Sequence, residues 1–132
     1  MKKGGAGRQV SDEALYEQAE DAVNGGDVRA MTQLAFFKLS GRGGAEVDAD
    51  EAVALLEERV KDGDCEAEWM LGLCCEYGIG TERDFKRAMS LYGDSCKGGN
   101  VVGAFLLNEG RIEGESELMI GWSLWKKGNR LK

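Results

Sequence analysis

The chain has 132 residues with 20 Gly, no Pro and no His, and its formal net charge is −7. The length suits one compact domain, and the absence of His excludes imidazole bases, His metal ligands and Ser–His or Cys–His nucleophile pairs. Residues 12–121 hold all 24 acidic side chains and only ten basic ones. Because this excess of negative charge repels phosphate backbones, nucleic acid is not expected as a partner.

Both ends of the chain are predicted to be tails. Residues 1–11 begin with Lys2 and Lys3 and contain three Gly, which predicts a flexible segment, and residues 128–132 form a short basic tail. No apolar stretch follows the two lysines and none approaches the roughly 20 apolar residues of a membrane span. We therefore expect a cytoplasmic location, with reduced cysteines and no membrane partner.

The first predicted helix covers residues 12–24 and carries a one-sided apolar stripe. It matches the second helix of a helix pair whose first helix is missing, which suits a cap at the start of a stack. Its stripe consists of Leu15, Ala19, Ala22 and Val23.

Helix pairs follow at a period of 36 or 37 residues. Asp27, Asp64 and Asn100 recur at this period, and each can accept hydrogen bonds from the free N–H groups of a first helical turn. Each also follows Gly, which can close the preceding helix in the left-handed conformation. After a Gly-rich turn, the second helix of each pair begins at Asp48 or Asp84. The first helices are predicted to end near Ser40, Tyr77 and Glu109.

The two kinds of helix differ in apolar pattern. The second helices have one apolar side, whereas the first helices are apolar nearly all round, as in residues 69–75. A helix that is apolar on every side is covered on more than one side, so the first helices form the inner layer. The sequence therefore predicts an all-α protein, an α-solenoid of antiparallel helix pairs with about two full repeats and capping helices over residues 12–127.

The match to the repeat decays after Gly103, and residues 113–127 are expected to form a last helix. Within it, the apolar run 118–125 precedes Lys126 and Lys127. This run is either a closing helix that packs on residues 101–107 or an amphipathic segment at a membrane or a second subunit. Its lack of a strong polar face favours the closing helix.

The middle repeat has a pattern of small, apolar and capping residues: Ala67, Leu71, Gly72, Cys75, Gly78 and Gly80, then Asp84, Ala88, Leu91, Tyr92, Ser95, Cys96, Gly99 and Asn100. In these residues it resembles the Sel1-like repeat (SLR) family, which is related to the tetratricopeptide repeat (TPR). The usual family pattern has Tyr at Cys75, two Ala at Ser95 and Cys96, and often Pro in the turn before Asp84. The resemblance implies an SLR/TPR-like solenoid that acts as a non-catalytic adaptor or scaffold for other proteins.

In this family the first helices line a concave face, and the resemblance implies a groove with an aromatic floor and acidic edges. Such a groove would bind a partner peptide or helix, and its acidic edges would favour basic flanks. Alternatively, the last helix of the same chain covers the floor and makes it core. The implied groove residues are Arg29, Thr32, Phe36 and Leu39, then Glu66, Trp69, Leu73 and Glu76, and finally Val102, Phe105 and Glu109.

No catalytic residue, metal site or cofactor is predicted. Cys74, Cys75 and Cys96 lack C-x-x-C spacing, and no His accompanies them, which favours a structural role. Carboxylate pairs such as Glu57 and Glu58 lie on a predicted wet face, where nothing raises a pKa for acid–base chemistry. Two alternatives to the binding module remain: a ligand-binding or carboxylate-based enzyme variant of the repeat, and a homo-oligomeric structural subunit.

Overall fold

The structure is a computed structural model that describes residues 10–110, and within that range the chain is helical and has no strand. The predicted all-α solenoid is confirmed. The predicted tail over residues 1–11, except for Val10 and Ser11, and the predicted helix and tail beyond residue 110 lie outside the described residues. The helices are α1 (Asp12–Asn24), α2 (Met31–Ser40), α3 (Ala49–Lys61), α4 (Cys65–Tyr77), α5 (Phe85–Lys97) and α6 (101–110).

The helices of the outer layer begin at equivalent caps. The side chains of Ser11, Asp48 and Asp84 each accept a hydrogen bond from the backbone N–H three residues later. These caps are 37 and 36 residues apart, which is the period of the sequence repeat. The first helix, α1, is therefore the second helix of a pair, as its apolar stripe predicts.

Each loop into an inner helix is closed by the same backbone bond. The N–H groups of Asp27, Asp64 and Asn100 donate to the carbonyl oxygens five residues earlier, at distances of 2.8, 3.3 and 3.1 Å. The Gly before each of these residues has a positive φ, of 95°, 77° and 90°. This backbone geometry requires the left-handed conformation, which Gly adopts without strain. The pair formed by a Gly and the capping residue after it therefore reverses the chain direction between repeats.

The upstream inner helix differs from its prediction at the first turn. Residues Val28–Ala30 form a 3-10 turn before α2 begins at Met31. The side chain of Asp27 accepts a hydrogen bond only from the N–H of Arg29, whereas Asp64 accepts from the N–H groups of both Glu66 and Ala67. The second capping bond holds the first turn of α4 in the wider α-helical geometry.

The main core lies between α3, α4 and α5. Leu56, Leu71 and Tyr92 are fully buried there. The ring of Tyr92 packs on Gly72, where an added Cβ would lie only 2.7 Å from its Cδ1. The hydroxyl of Tyr92 donates to the Glu76 carboxylate over 2.7 Å. A smaller cluster joins α1 to α2 around Ala19, Leu34, Phe37 and Ala45.

Candidate functional site

A groove runs between the inner helices α2 and α4 and consists of two adjoining clefts. The polar cleft has a volume of about 330 Å³, and the apolar cleft has a volume of about 260 Å³. Phe36 and Met70 line both clefts and so join them into one surface. The polar cleft is also lined by Arg29, Thr32, Gln33, Asp64 and Glu66. The apolar cleft is also lined by Leu39, Ser40, Trp69, Leu73, Cys74 and Ile79.

The floor of the apolar cleft is fixed from below. Leu39, Trp69 and Leu73 are partly buried and pack against the main core. Phe36 meets the buried ring of Phe37 edge to face, with 5.6 Å between the ring centroids. Because the core holds these side chains from one side, they present apolar surface to the cleft at little cost in conformational freedom.

Trp69 is oriented by a polar chain that links two repeats. Its indole N–H donates to one carboxylate oxygen of Glu66 over 2.8 Å. The other oxygen accepts from the side-chain amide of Asn100 over 3.0 Å, and Asn100 also caps α6. The exposed carboxylate of Glu66 thus fixes the edge of the aromatic ring and places a negative charge beside the groove.

The carboxylate of Asp64 ties three helices together beneath the polar cleft. It accepts from the Thr32 hydroxyl over 2.8 Å and from Arg59 Nε over 3.3 Å, and it caps α4. Burial opposes its ionisation, but the hydrogen bonds from Thr32, from the backbone of α4 and from Arg59 prevail and lower its pKa. Asp64 therefore remains charged and serves the structure of the groove.

Seven of the eleven predicted groove residues line the two clefts: Arg29, Thr32, Phe36, Leu39, Glu66, Trp69 and Leu73. Among them, Thr32 is buried, and its hydroxyl donates a hydrogen bond to Asp64. Whether this groove binds a partner stays a prediction.

Glu76 lies elsewhere, and the expectation that it forms an acidic edge of the groove is corrected. Its side chain is 8% exposed and accepts the hydrogen bond of Tyr92. Residues four apart share a face of a helix, so the face on which Gly72 admits the Tyr92 ring also brings Glu76 to the hydroxyl of that ring. Glu76 therefore belongs to the contact between α4 and α5.

The three predicted residues on α6 line neither cleft. Val102 and Phe105 are 37% and 61% exposed, and Glu109 is exposed as well. Phe105 is nevertheless the repeat equivalent of Trp69, 36 residues later, so it extends the inner face by one helix. The alternative in which a last helix covers this face concerns residues 113–127, which lie outside the described range.

The apolar cleft also contains Met70 and Ile79, which were not among the predicted groove residues. Met70 lies four residues after Glu66 and three before Leu73, so helical spacing alone places it on the same stripe. Ile79 is 42% exposed and follows Gly78, whose φ of 69° turns the chain back at the end of α4. An apolar residue in a Gly-rich turn is the feature of the sequence that could have indicated Ile79 as a groove residue.

The described residues contain no group of three or more side chains that could hold a metal ion. All four cysteines are free thiols, and burial raises the pKa of Cys74 to about 11, so this thiol stays protonated. In the described part of the chain, no helix is both long enough and apolar enough to cross a membrane.

Comparison with known sequences identifies relatives of the chain. A sequence model of the Sel1 repeat matches residues 28–58 and 65–100. Protein sel-1 homolog 2 from Homo sapiens is 30% identical over 122 residues, which is 90% of this chain and 18% of the human protein. The Mus musculus protein of the same name is 31% identical over 70% of this chain and 13% of its own length. The chain thus spans less than a fifth of these relatives.

Solved structures show the same architecture. A Sel1 repeat protein from Oxalobacter formigenes superposes with a TM-score of 0.63 at 30% identity, over 76% of this chain and 39% of that protein. A protective antigen with an SLR fold from uropathogenic Escherichia coli superposes with a TM-score of 0.61 at 23% identity, over 74% of this chain and 21% of the antigen. The likeness to the antigen concerns the fold alone.

Proposed function

This chain belongs to the Sel1 repeat family, and from that premise we propose that it is a non-catalytic protein-binding module. The Sel1 repeat is in general a protein–protein interaction module, and proteins built from it are generally non-catalytic. The specific proposal is that the groove between α2 and α4 binds an apolar segment of a partner protein that carries basic residues beside its apolar side chains.

The observation that carries this proposal is the apolar cleft. Phe36, Trp69, Met70 and Leu73 converge there on one open surface whose back is packed against the core. Aromatic anchors in a rigid pocket are the usual carriers of binding energy at protein interfaces, at about 2 kcal/mol or more each. A pocket of this kind suits the side chains of a short peptide or of one face of a helix.

The net negative charge of the chain supports a partner with basic residues. Residues 10–110 carry 21 acidic and nine basic side chains, and at least six of the nine basic ones form ion pairs within the chain. An excess of acidic side chains therefore remains, and Glu66 places one of them next to Trp69. Because the two clefts are small, we expect a weak, transient interaction with a Kd of about 1–10 μM.

The test is a selection of peptides from a random library on the full chain, followed by measurement of Kd by fluorescence anisotropy. Selected peptides should combine large apolar residues with Lys or Arg. Trp69→Ala should weaken their binding by about 30-fold, which corresponds to the loss of about 2 kcal/mol. Val10→Ala, which removes exposed apolar surface beside α1 and outside both clefts, should leave Kd unchanged.

A second pair of variants isolates the charge. Glu66→Gln removes the negative charge and keeps one oxygen that can accept from the Trp69 indole, although the exposed hydrogen bond from Asn100 is lost. Basic peptides should bind this variant several-fold more weakly. Glu17→Gln makes the same change on the exposed face of α1 and should have no effect. Acidic consensus peptides, or equal binding to wild type and to a Trp69→Ala variant with native circular dichroism, would refute the proposal.

We also propose a cytoplasmic setting. It is supported by four free thiols, since a reducing compartment keeps cysteines in that form. Light scattering on the purified chain tests the homo-oligomeric alternative. A stable dimer would favour a structural subunit instead.

A further inference from the structure

We infer that residues 118–132 of the chain itself occupy the groove between α2 and α4, in the same molecule, and that a partner must displace them. This inference rests on the proposed function, because it assigns a resident occupant to the same groove. It adds a built-in competitor that sets how strongly any partner can bind.

The composition of this segment matches the groove. Residues 118–125 contain Leu118, Met119, Ile120, Trp122, Leu124 and Trp125. Basic side chains follow at Lys126, Lys127, Arg130 and Lys132, and no acidic side chain lies after Glu117. The segment therefore has the chemistry that the groove selects: large apolar side chains with basic residues beside them.

The last described helix, α6, leads the chain toward the end of the stack at which the apolar cleft lies. Gly110 is the last described residue of α6, and an added Cβ there would meet Met89 and Phe85 near the start of α5. The start of α5 lies beside the end of α4, because the N–H of Asp84 donates to the carbonyl of Cys75 over 2.7 Å. Residue 110 thus lies at the end of the inner layer that also holds Ile79, and Ile79 lines the apolar cleft.

The connection is also long enough. Packed helices lie about 8–10 Å apart, so the groove between α2 and α4 is about 15 Å from α6 across the inner layer. Residues 111–117 span about 23 Å when extended, so occupation of the groove requires the last helix to begin near residue 118 and not at residue 113. On the way, the chain would pass Phe105, whose 61% exposed ring continues the inner face between α6 and Trp69.

Tethering makes occupation effective even if the isolated segment binds weakly. A short linker gives an effective concentration in the millimolar range. A segment with an intrinsic Kd of about 10 μM would then raise the apparent Kd of a competing peptide by about 100-fold.

The experiment uses a fluorescent synthetic peptide of residues 111–132 and three forms of the full chain. These are wild type, the double variant Trp122→Ala/Trp125→Ala, and the control Ser123→Ala, which changes the same segment without removing apolar surface. The peptide should bind the double variant at least tenfold more tightly than wild type, and the control should behave as wild type. Adding Trp69→Ala to the double variant should abolish the gain, and Trp69→Phe or Glu66→Gln replaces it if that variant does not fold.

The other outcomes overturn the inference in distinguishable ways. Equal binding to wild type and to the double variant means that the segment does not hold the groove, and the proposed function then stands. Binding that ignores the Trp69 and Glu66 variants places the peptide elsewhere, for example on the exposed face of α6. No binding to any form also overturns the inference and leaves the proposed function to its own library selection. A wild-type dimer that dissociates in the double variant would assign the segment to the groove of a second copy.

Discussion

The contact between Gly72 and Tyr92 predicts that the same substitution has opposite effects at two helical glycines. In the middle of a helix, Gly→Ala gains about 1 kcal/mol of helix propensity. At Gly72 of α4, however, the new methyl group would lie 2.7 Å from Cδ1 of Tyr92 and would overlap the neighbouring ring atom. The ring cannot retreat easily, because it is fully buried and its hydroxyl is bound to Glu76.

The magnitude follows from these opposing effects. Overpacking a well-filled core costs about 1–3 kcal/mol, and several ring atoms of Tyr92 are involved here, so the upper half of that range applies. After the gain in helix propensity, Gly72→Ala should lower the free energy of unfolding by about 1–2 kcal/mol. For a domain of this size, Tm should fall by about 4–8 °C.

Gly93 provides the matched control. It lies within α5, and no atom is within 4 Å of the position that its Cβ would take. Gly93→Ala should therefore raise the free energy of unfolding by about 0.5–1 kcal/mol. Urea denaturation followed by circular dichroism measures both variants. If Gly72→Ala is neutral or stabilising, the close contact between α4 and α5 is wrong. A coupling of about 1 kcal/mol between Gly72→Ala and Tyr92→Leu would confirm the ring as the cause.

Three further predictions concern the polar contacts. Tyr92→Phe leaves the buried Glu76 without its 2.7 Å donor and should cost about 1–3 kcal/mol in urea denaturation; a cost under about 0.5 kcal/mol would contradict this role. Asp64→Ala removes a helix cap and the acceptor for Thr32 and Arg59, so it should cost about 2–3 kcal/mol, against about 1 kcal/mol for Asp48→Ala, which removes only a cap. Hydrogen bonds from Arg87 lower the pKa of Glu57 in the folded chain, so its stabilising effect is full above the ordinary value of 4.5 and is lost as pH falls through the folded value. Glu57→Gln should therefore lose less stability than wild type between pH 5 and pH 3. An equal loss of stability in both proteins over this pH range would refute the stabilising role of Glu57.

Between residues 10 and 110, the sequence was sufficient to predict the helices and their order. The caps at Asp48 and Asp84 and the Gly-Asp or Gly-Asn pairs between repeats are local signals, because the side chain and the N–H that it binds are two or three residues apart. They also recur at a fixed period, so the pattern in one repeat supports the same prediction in the other. The 3-10 turn at Val28–Ala30 is finer than this signal, since it depends on whether one or two N–H groups reach the side chain of Asp27.

The groove could be predicted only in part. Helical spacing places Trp69 and Leu73 on nearby turns of α4, but that α4 and α2 together line a groove was implied only by the family resemblance; the structure brings both residues together with Phe36 of α2 in one cleft. The position of Glu76 could not be predicted in this way, because it depends on where the hydroxyl of Tyr92 arrives from another helix. Residue types along one helix do not encode the distance at which a neighbouring helix packs.

The most direct test of binding in the groove is an NMR titration of the ¹⁵N-labelled full chain with a library-selected apolar and basic peptide. We expect the largest shift changes on the backbone of α2 and α4 at Phe36, Leu39, Met70 and Leu73 and on the indole N–H of Trp69. Changes concentrated on the outer helices α3 and α5, with the Trp69 indole signal unmoved at saturation, would contradict binding in the groove.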